Sequence, residues 1–150
     1  MKINSLDDTK KLAEKIASLV KIGDVITLKG DLGAGKTTFA RYFINSLLSE
    51  EQEITSPTFN IAHQYDAPDF DIWHFDLYRL KNEREAEEIG LYDAFDEAVS
   101  LIEWPEIIGD ILPEDRLLVE LSLLEDERQV VLRGYGEWEE RLMKIGKHDE

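Results

Sequence analysis

The order of helical and strand-like apolar patterns predicts an α/β fold: a mixed central sheet flanked by helices, with antiparallel hairpins. Three observations carry that expectation. A short β-rich run, Val25-Ile26-Thr27-Leu28-Lys29, leads into a glycine-rich loop and then a helical pattern. Ala98-Val99-Ser100-Leu101-Ile102 is continuously apolar or small, as in an interior parallel strand covered on both faces. Two further pairs of extended segments are each joined by a polar turn, one at Asp66-Ala67-Pro68-Asp69 and one at Glu125-Asp126-Glu127.

The elements follow in order. Ser5, with Asp8 three positions on, is a helix-start signature, and Leu12, Ile16, Leu19 and Val20 continue at helical spacing through Val20. Gly23-Asp24 punctuates the chain before the first strand. Gly30 to Lys36 forms the loop. From Thr37 to Leu48 the apolar positions Phe39, Ala40, Phe43, Ile44 and Leu47 recur with a helical period. Ser56-Pro57-Thr58 opens an extended segment, Phe59 to Tyr65, whose hairpin partner is Ile72 to Leu80. Residues 82–97 are highly charged and predict one or two short helices broken near Gly90. Arg116 to Leu124 and Arg128 to Arg133 form the second hairpin, and an amphipathic helix covers Gly136 to Ile145. No repeat or linker interrupts the 150 residues, so residues 1–150 are expected to form a single domain.

Composition narrows the function classes. The hydrophobic fraction of 43% is enough for one core, and the formal net charge is −16. A free-standing nucleic-acid binder needs a cationic footprint, so strong direct binding to RNA is not expected. The charge is uneven: residues 1–80 carry a net −3 and residues 81–150 a net −13. With no cysteine, disulfide scaffolds, thiolate metal sites and cysteine nucleophiles are excluded. No apolar run reaches the roughly 18–20 residues of a membrane span. Nor does the start, Met-Lys-Ile-Asn-Ser-Leu-Asp-Asp, contain the apolar core of a signal peptide. A cytoplasmic location with no membrane association is the expectation.

The chemistry is concentrated in one motif. Gly30-Asp31-Leu32-Gly33-Ala34-Gly35-Lys36-Thr37 satisfies the pattern of a glycine, four residues, then Gly-Lys-Thr. Glycines let the backbone turn tightly enough to aim successive N–H groups at phosphate oxygens, and the following helix adds its positive N-terminal dipole. Lys36 reaches the β- and γ-phosphates in such a loop, the Thr37 hydroxyl ligates Mg²⁺, and Thr38 adds a contact nearer the α-phosphate. The motif, with a strand before it and a helix after it, makes the expected sheet P-loop NTPase-like and predicts nucleoside triphosphate binding.

A second set of polar residues surrounds this expectation. Mg²⁺ at such a loop recruits an acidic residue from the end of a neighbouring strand, and Glu103 follows Ala98 to Ile102 at that position. A surface glutamate before a turn is the plainer alternative. Trp104-Pro105 makes a sharp strand exit, with Trp104 a wall of the site or a core residue. Alternation over Ile72 to Leu80 puts Trp73, Phe75 and Leu77 on one face and His74, Asp76 and Tyr78 on the other. Asp76 is a candidate to orient water or complete the metal's outer shell, or else a structural aspartate held by Arg79 or a backbone donor. His74 reads as a satisfied structural histidine sooner than as a catalyst. Thr58 lies where nucleotide switches hold a γ-phosphate sensor, or it is a plain strand-start turn. For Arg128, nothing local decides between nucleotide and partner. The segment Ser5 to Thr9 is expected near the base.

ATP is expected over GTP, because no Asn-Lys-x-Asp or Thr-Lys-x-Asp stretch is present. A stand-alone small-molecule kinase is the competing class. Its only lid would be 81–97, where Arg84 stands among many acids that repel an anionic acceptor. A nucleotide-gated binding module with negligible turnover is a third class. Four stretches then resemble the bacterial TsaE family, also called YjeE: residues 30–41, Ser-Pro-Thr-Phe (56–59), His-Phe-Asp-Leu-Tyr-Arg-Leu (74–80) and Ile-Glu-Trp-Pro-Glu (102–106). The resemblance implies a P-loop ATPase accessory to the TsaB–TsaD pair, which makes N6-threonylcarbamoyladenosine beside the tRNA anticodon. It also implies ATP and Mg²⁺ as cofactors. Residue by residue, it gives phosphate and Mg²⁺ binding to Lys36 and Thr37, acidic groups from Asp76 and Glu103, a switch-like contact at Thr58 and a wall at Trp104.

Overall fold

The fold was obtained as a computed structural model. It describes residues 2–3, 6–30, 35–54, 62–78, 80–124 and 127–148, with side chains left aside at 2–3, 6, 83, 110, 123–124, 127 and 145–148. The expected elements form. Strand β1 is Lys2–Ile3, helix α1 Leu6–Ala17, β2 Val25–Gly30, α2 Lys36–Leu47, β3 Ala62–Asp66 and β4 Asp71–Asp76. Then come α3 Glu83–Glu88, α4 Leu91–Glu97, β5 Ala98–Glu103, a 3₁₀ segment Pro105–Ile111, β6 Arg116–Leu124, β7 Glu127–Tyr135 and α5 Trp138–His148.

The described strands make one sheet in the order β1-β7-β6-β2-β5-β4-β3. Its centre is parallel: β2 pairs with both β5 and β6, and β4 pairs with β5. Its flanks are antiparallel hairpins, β3 with β4 and β6 with β7, and β1 closes the far edge against β7. The mixed sheet expected from the sequence is therefore present, and all six residues of β5 are buried, as the apolar run predicts.

Two apolar layers cover the sheet. On one face Leu12, Ala13 and Ile16 of α1 and Phe39, Phe43 and Ile44 of α2 pack on Ile26, Leu28, Ile72 and Leu101. The Phe39 and Phe43 rings, one helical turn apart, stack with centroids 6.2 Å apart. On the other face Ala86, Leu91, Ala94 and Ile108 cover Val25, Phe75, Leu77 and Ile102. Here Gly90, at φ 89°, begins α4 and lets the chain pass the Trp73 ring, which a Cβ would meet at 3.7 Å.

Some boundaries differ from expectation, for local reasons. Helix α1 stops at Ala17 rather than Val20, because Leu19 and Val20 donate to the carbonyls three residues back, tightening the last turn. Strand β4 ends at Asp76, not Leu80. Asp76 Oδ1 accepts from the Tyr78 amide at 3.0 Å, and Leu80 N donates to Leu77 O at 3.0 Å, so the chain turns. Tyr78 consequently leaves the polar face assigned to it and is 58% exposed. Strand β7 begins before Arg128 and runs to Tyr135, and α5 extends to His148. Two elements were not anticipated: β1 and the 3₁₀ segment after Trp104. Ser5 lies outside the described residues, so its capping role is left as a sequence expectation.

Candidate nucleotide site

The site stands at the C-terminal ends of the parallel strands, where α/β sheets bind ligands in the crevice outside the strand ends. Strand β2 delivers Gly30, and after the loop the chain re-enters at Gly35, which precedes α2 with φ 105°. A side chain is disfavoured in that left-handed conformation, so glycine suits the position. Lys36 opens α2, with Phe39 N donating to Gly35 O at 2.9 Å as one of its first helical bonds. Thr37 is exposed and Thr38 half-buried, both in the first turn. Asp31, Leu32, Gly33 and Ala34 lie outside the described residues, as does Thr58.

Lys36 is the unusual group. It is 6% exposed, yet among the described residues its Nζ has no hydrogen-bond partner. It sits instead 4.0 Å from the centroid of the Trp104 ring. A cation–π contact of that kind recovers only part of what a buried ammonium loses on leaving water. An anionic ligand would supply the missing acceptors.

Trp104 is itself held in an uncommon conformation. At φ 60° and ψ 53° it is the one non-glycine residue with positive φ among the described residues. For an L-residue this costs about 1–2 kcal/mol. The turn aims the ring between Lys36 and Tyr78, whose ring centroid is 5.0 Å away. Trp104 also lines a cavity of about 400 Å³ together with Gly30, Lys36, Glu106, Glu120 and Ser122. The wall role expected for Trp104 is therefore realised. The acids Asp76 and Glu103 are not among the walls of that cavity.

Those two acids are nevertheless brought together. Asp76 and Glu103 are register partners at the ends of β4 and β5, and Glu103 is also the partner of Leu28 on β2. They are 5% and 3% exposed. Asp76 is tied by the Tyr78 amide, the backbone-donor alternative raised from sequence. Glu103 is tied by His74: Nε2 and Oε2 are 2.8 Å apart, and the imidazole is fully buried. His74 thus has the partner a structural histidine needs, and that partner is a candidate catalytic carboxylate.

Among the described residues no group of three or more His, Asp or Glu side chains forms a metal cage. A P-loop Mg²⁺ needs none, since it keeps several waters and takes one or two protein ligands plus phosphate oxygens. Hydroxyl and carboxylate oxygens from Thr37, Glu103 and Asp76 fit that demand. Arg128 was undecided from sequence. In the fold its Nη1 lies 3.9 Å from where a Cβ on Gly35 would stand, so β7 carries a cation to the base of α2. The adjoining β1 pairs Ile3 with Arg128, which brings the start of α1 to the same side.

Comparison with known proteins follows the same lines. The family described as "Threonylcarbamoyl adenosine biosynthesis protein TsaE" matches residues 3–130. The chain is 43% identical over 128 residues to a tRNA threonylcarbamoyladenosine biosynthesis protein TsaE of Rickettsia bellii, covering 85% of this chain and 89% of that protein. It is 38% identical to the Bacillus subtilis protein of the same name, covering 95% and 90%. The crystal structure of Bacillus subtilis YdiB superposes with a TM-score of 0.83 at 31% identity, over all of this chain and 95% of the other. A P-loop, an acid-tipped parallel strand and family matches over most of the chain agree: the protein belongs to the TsaE family.

Proposed function

We infer that the chain binds Mg-ATP on the Gly30–Thr38 loop and hydrolyses it in support of threonylcarbamoyl transfer to tRNA adenosine by a TsaB–TsaD pair. The observation that carries this reading is Lys36: a buried ammonium at a helix N-terminus, lacking an acceptor among the described residues. Family membership supports the pathway, and the motif supports the nucleotide.

Each residue has a task in this reading. Lys36 leaves the Trp104 ring to pair with phosphate oxygens, and the first-turn amides of α2 donate to the same anion. Thr37 and Glu103 hold the metal side, with Asp76 adjoining in the outer shell. When bound, Mg²⁺ neutralises charge developing on the phosphate oxygens. Arg128 adds a cation near Gly35, where it faces the polyphosphate from β7. Trp104 excludes water from one side. Among the described residues no further arginine approaches Lys36, so turnover by the isolated chain is slow and a partner that orders 55–61 or donates a cation accelerates it. The −13 charge of residues 81–150 suits a basic partner surface, while ATP stabilises the bound assembly and hydrolysis releases it.

The test is Mg²⁺-dependent phosphate release from ATP by the purified chain, alone and with TsaB–TsaD. Weak release that rises with the pair supports the reading. Phosphate transferred to an added metabolite instead of freed would favour the kinase class, and nucleotide binding without turnover would favour a gated module.

A further inference from the structure

We propose that His74 is a positioning residue that clamps Oε2 of Glu103 so that the other carboxylate oxygen faces the metal-nucleotide in one orientation. The inference rests on the nucleotide reading above and deepens it. Three observations lead to it.

The first is placement. His74 lies opposite Leu101 in the β4–β5 register, and Glu103 lies opposite Asp76 one pleat further on. His74 and Glu103 are therefore diagonal neighbours on the sheet face that α2 covers, the face shared by Ile72 and Leu101. The second is burial. The side chains are 0% and 4% exposed, and at 2.8 Å the contact is as short as a charge-assisted N–H···O bond. Removed from water, a carboxylate at this position depends on that donor.

The third is the other ring nitrogen. Among the described residues His74 Nδ1 has no partner. A ring with hydrogens on both nitrogens would leave a buried N–H unpaired, a loss of about 1–3 kcal/mol. The tautomer that fits carries its hydrogen on Nε2 and donates it to Glu103. One oxygen of the carboxylate is then committed to the imidazole, and the side chain loses the rotation that would let the two oxygens exchange. This is the arrangement by which outer-shell partners orient metal-binding carboxylates and histidines.

The experiment compares three substitutions with the wild-type chain. His74→Leu fills the site without a donor. His74→Gln places an amide N–H near the position of Nε2, and His74→Asn places one near Nδ1. The readouts are the Mg²⁺ concentration that half-saturates tightening of a fluorescent ATP analogue, the affinity of that analogue in excess chelator, and kcat against KM for phosphate release. Loss of the clamp raises the half-saturating Mg²⁺ and lowers kcat by about 10–100-fold, with chelator affinity within about twofold. His74→Gln recovers most of the effect and His74→Asn does not. If His74→Leu fails to fold, the Gln and Asn pair still decides. Equal Mg²⁺ dependence in Gln, Asn and wild type would overturn the proposal. A wild-type chain that binds no nucleotide at all would instead overturn the reading beneath it. Nitrogen-15 spectra of the free wild-type chain supply a readout independent of ligand: hydrogen on Nε2 is expected, and hydrogen on Nδ1 alone would contradict the clamp.

Discussion

The two ends of β2 are built in opposite ways. At its start, Asp24 is 5% exposed and fully engaged: Oδ2 accepts from Arg141 Nη1 at 2.6 Å and from the Lys21 amide at 2.7 Å. Arg141 also donates to Glu137 on α5 at 2.9 Å and to the Leu19 carbonyl at 3.4 Å, and it stacks 4.6 Å from the Trp138 ring. At the other end, past Gly30, the buried Lys36 leans on a strained tryptophan without an acceptor among the described residues. One charged group completes the fold. The other waits for a ligand, and its environment costs stability until one arrives.

Substitutions can break this contrast, and the largest effect on folding falls at Asp24. Asp24→Ala strands the guanidinium of Arg141 and should cost about 3–5 kcal/mol in chemical denaturation, with nucleotide affinity per folded molecule unchanged. Lys36→Ala reverses the pattern. It should weaken ATP binding about 100-fold or more, the loss of a buried charged contact, while stability moves by no more than about 1 kcal/mol. Similar losses of stability at both positions would erase the distinction.

Glu103→Gln sharpens the ligand side. Turnover should fall about 100-fold or more while affinity in chelator stays near wild type; unchanged turnover would remove Glu103 from the chemistry. Trp104 tests the strain. Trp104→Gly relieves the positive φ and should cost about 1 kcal/mol less than Trp104→Ala in a thermal melt. In Trp104→Phe the change in intrinsic emission on adding ATP should vanish, leaving Trp73 and Trp138 as silent reporters. The smallest effect belongs to the exposed Lys21–Glu137 pair at 3.2 Å, where Lys21→Ala should change stability by about 0.5 kcal/mol or less.

What could be read from the sequence follows from how local each signal is. The loop at 30–37 and strand β5 are contiguous, and their composition specifies them without reference to the rest of the chain. The helix α2 carries its own period. By contrast β1 is two residues long, and its strand nature exists only through pairing with Gln129 and Arg128. The contact between His74 and Glu103 spans 29 positions and depends on the register of two strands, while that between Asp24 and Arg141 spans 117. Sequence alternation placed His74 and Asp76 on a polar face, and the face is real as far as Asp76. It failed at Tyr78 because the Asp76 side chain caps its own strand. Trp104 was legible as a site wall, but its left-handed backbone and its contact with Lys36 were not. Asp31, Leu32, Gly33, Ala34 and Thr58 lie outside the described residues, and their roles rest on the motif and the family resemblance.

The claim that the far end of β2 is an anion-binding site for ATP is tested most directly by calorimetric titration of wild type and Lys36→Ala with ATP in the presence of Mg²⁺. Saturable one-to-one binding by wild type, with a loss of about 100-fold or more in the variant, is the predicted result. Equal affinity in the two proteins, or no binding to either, would contradict the account.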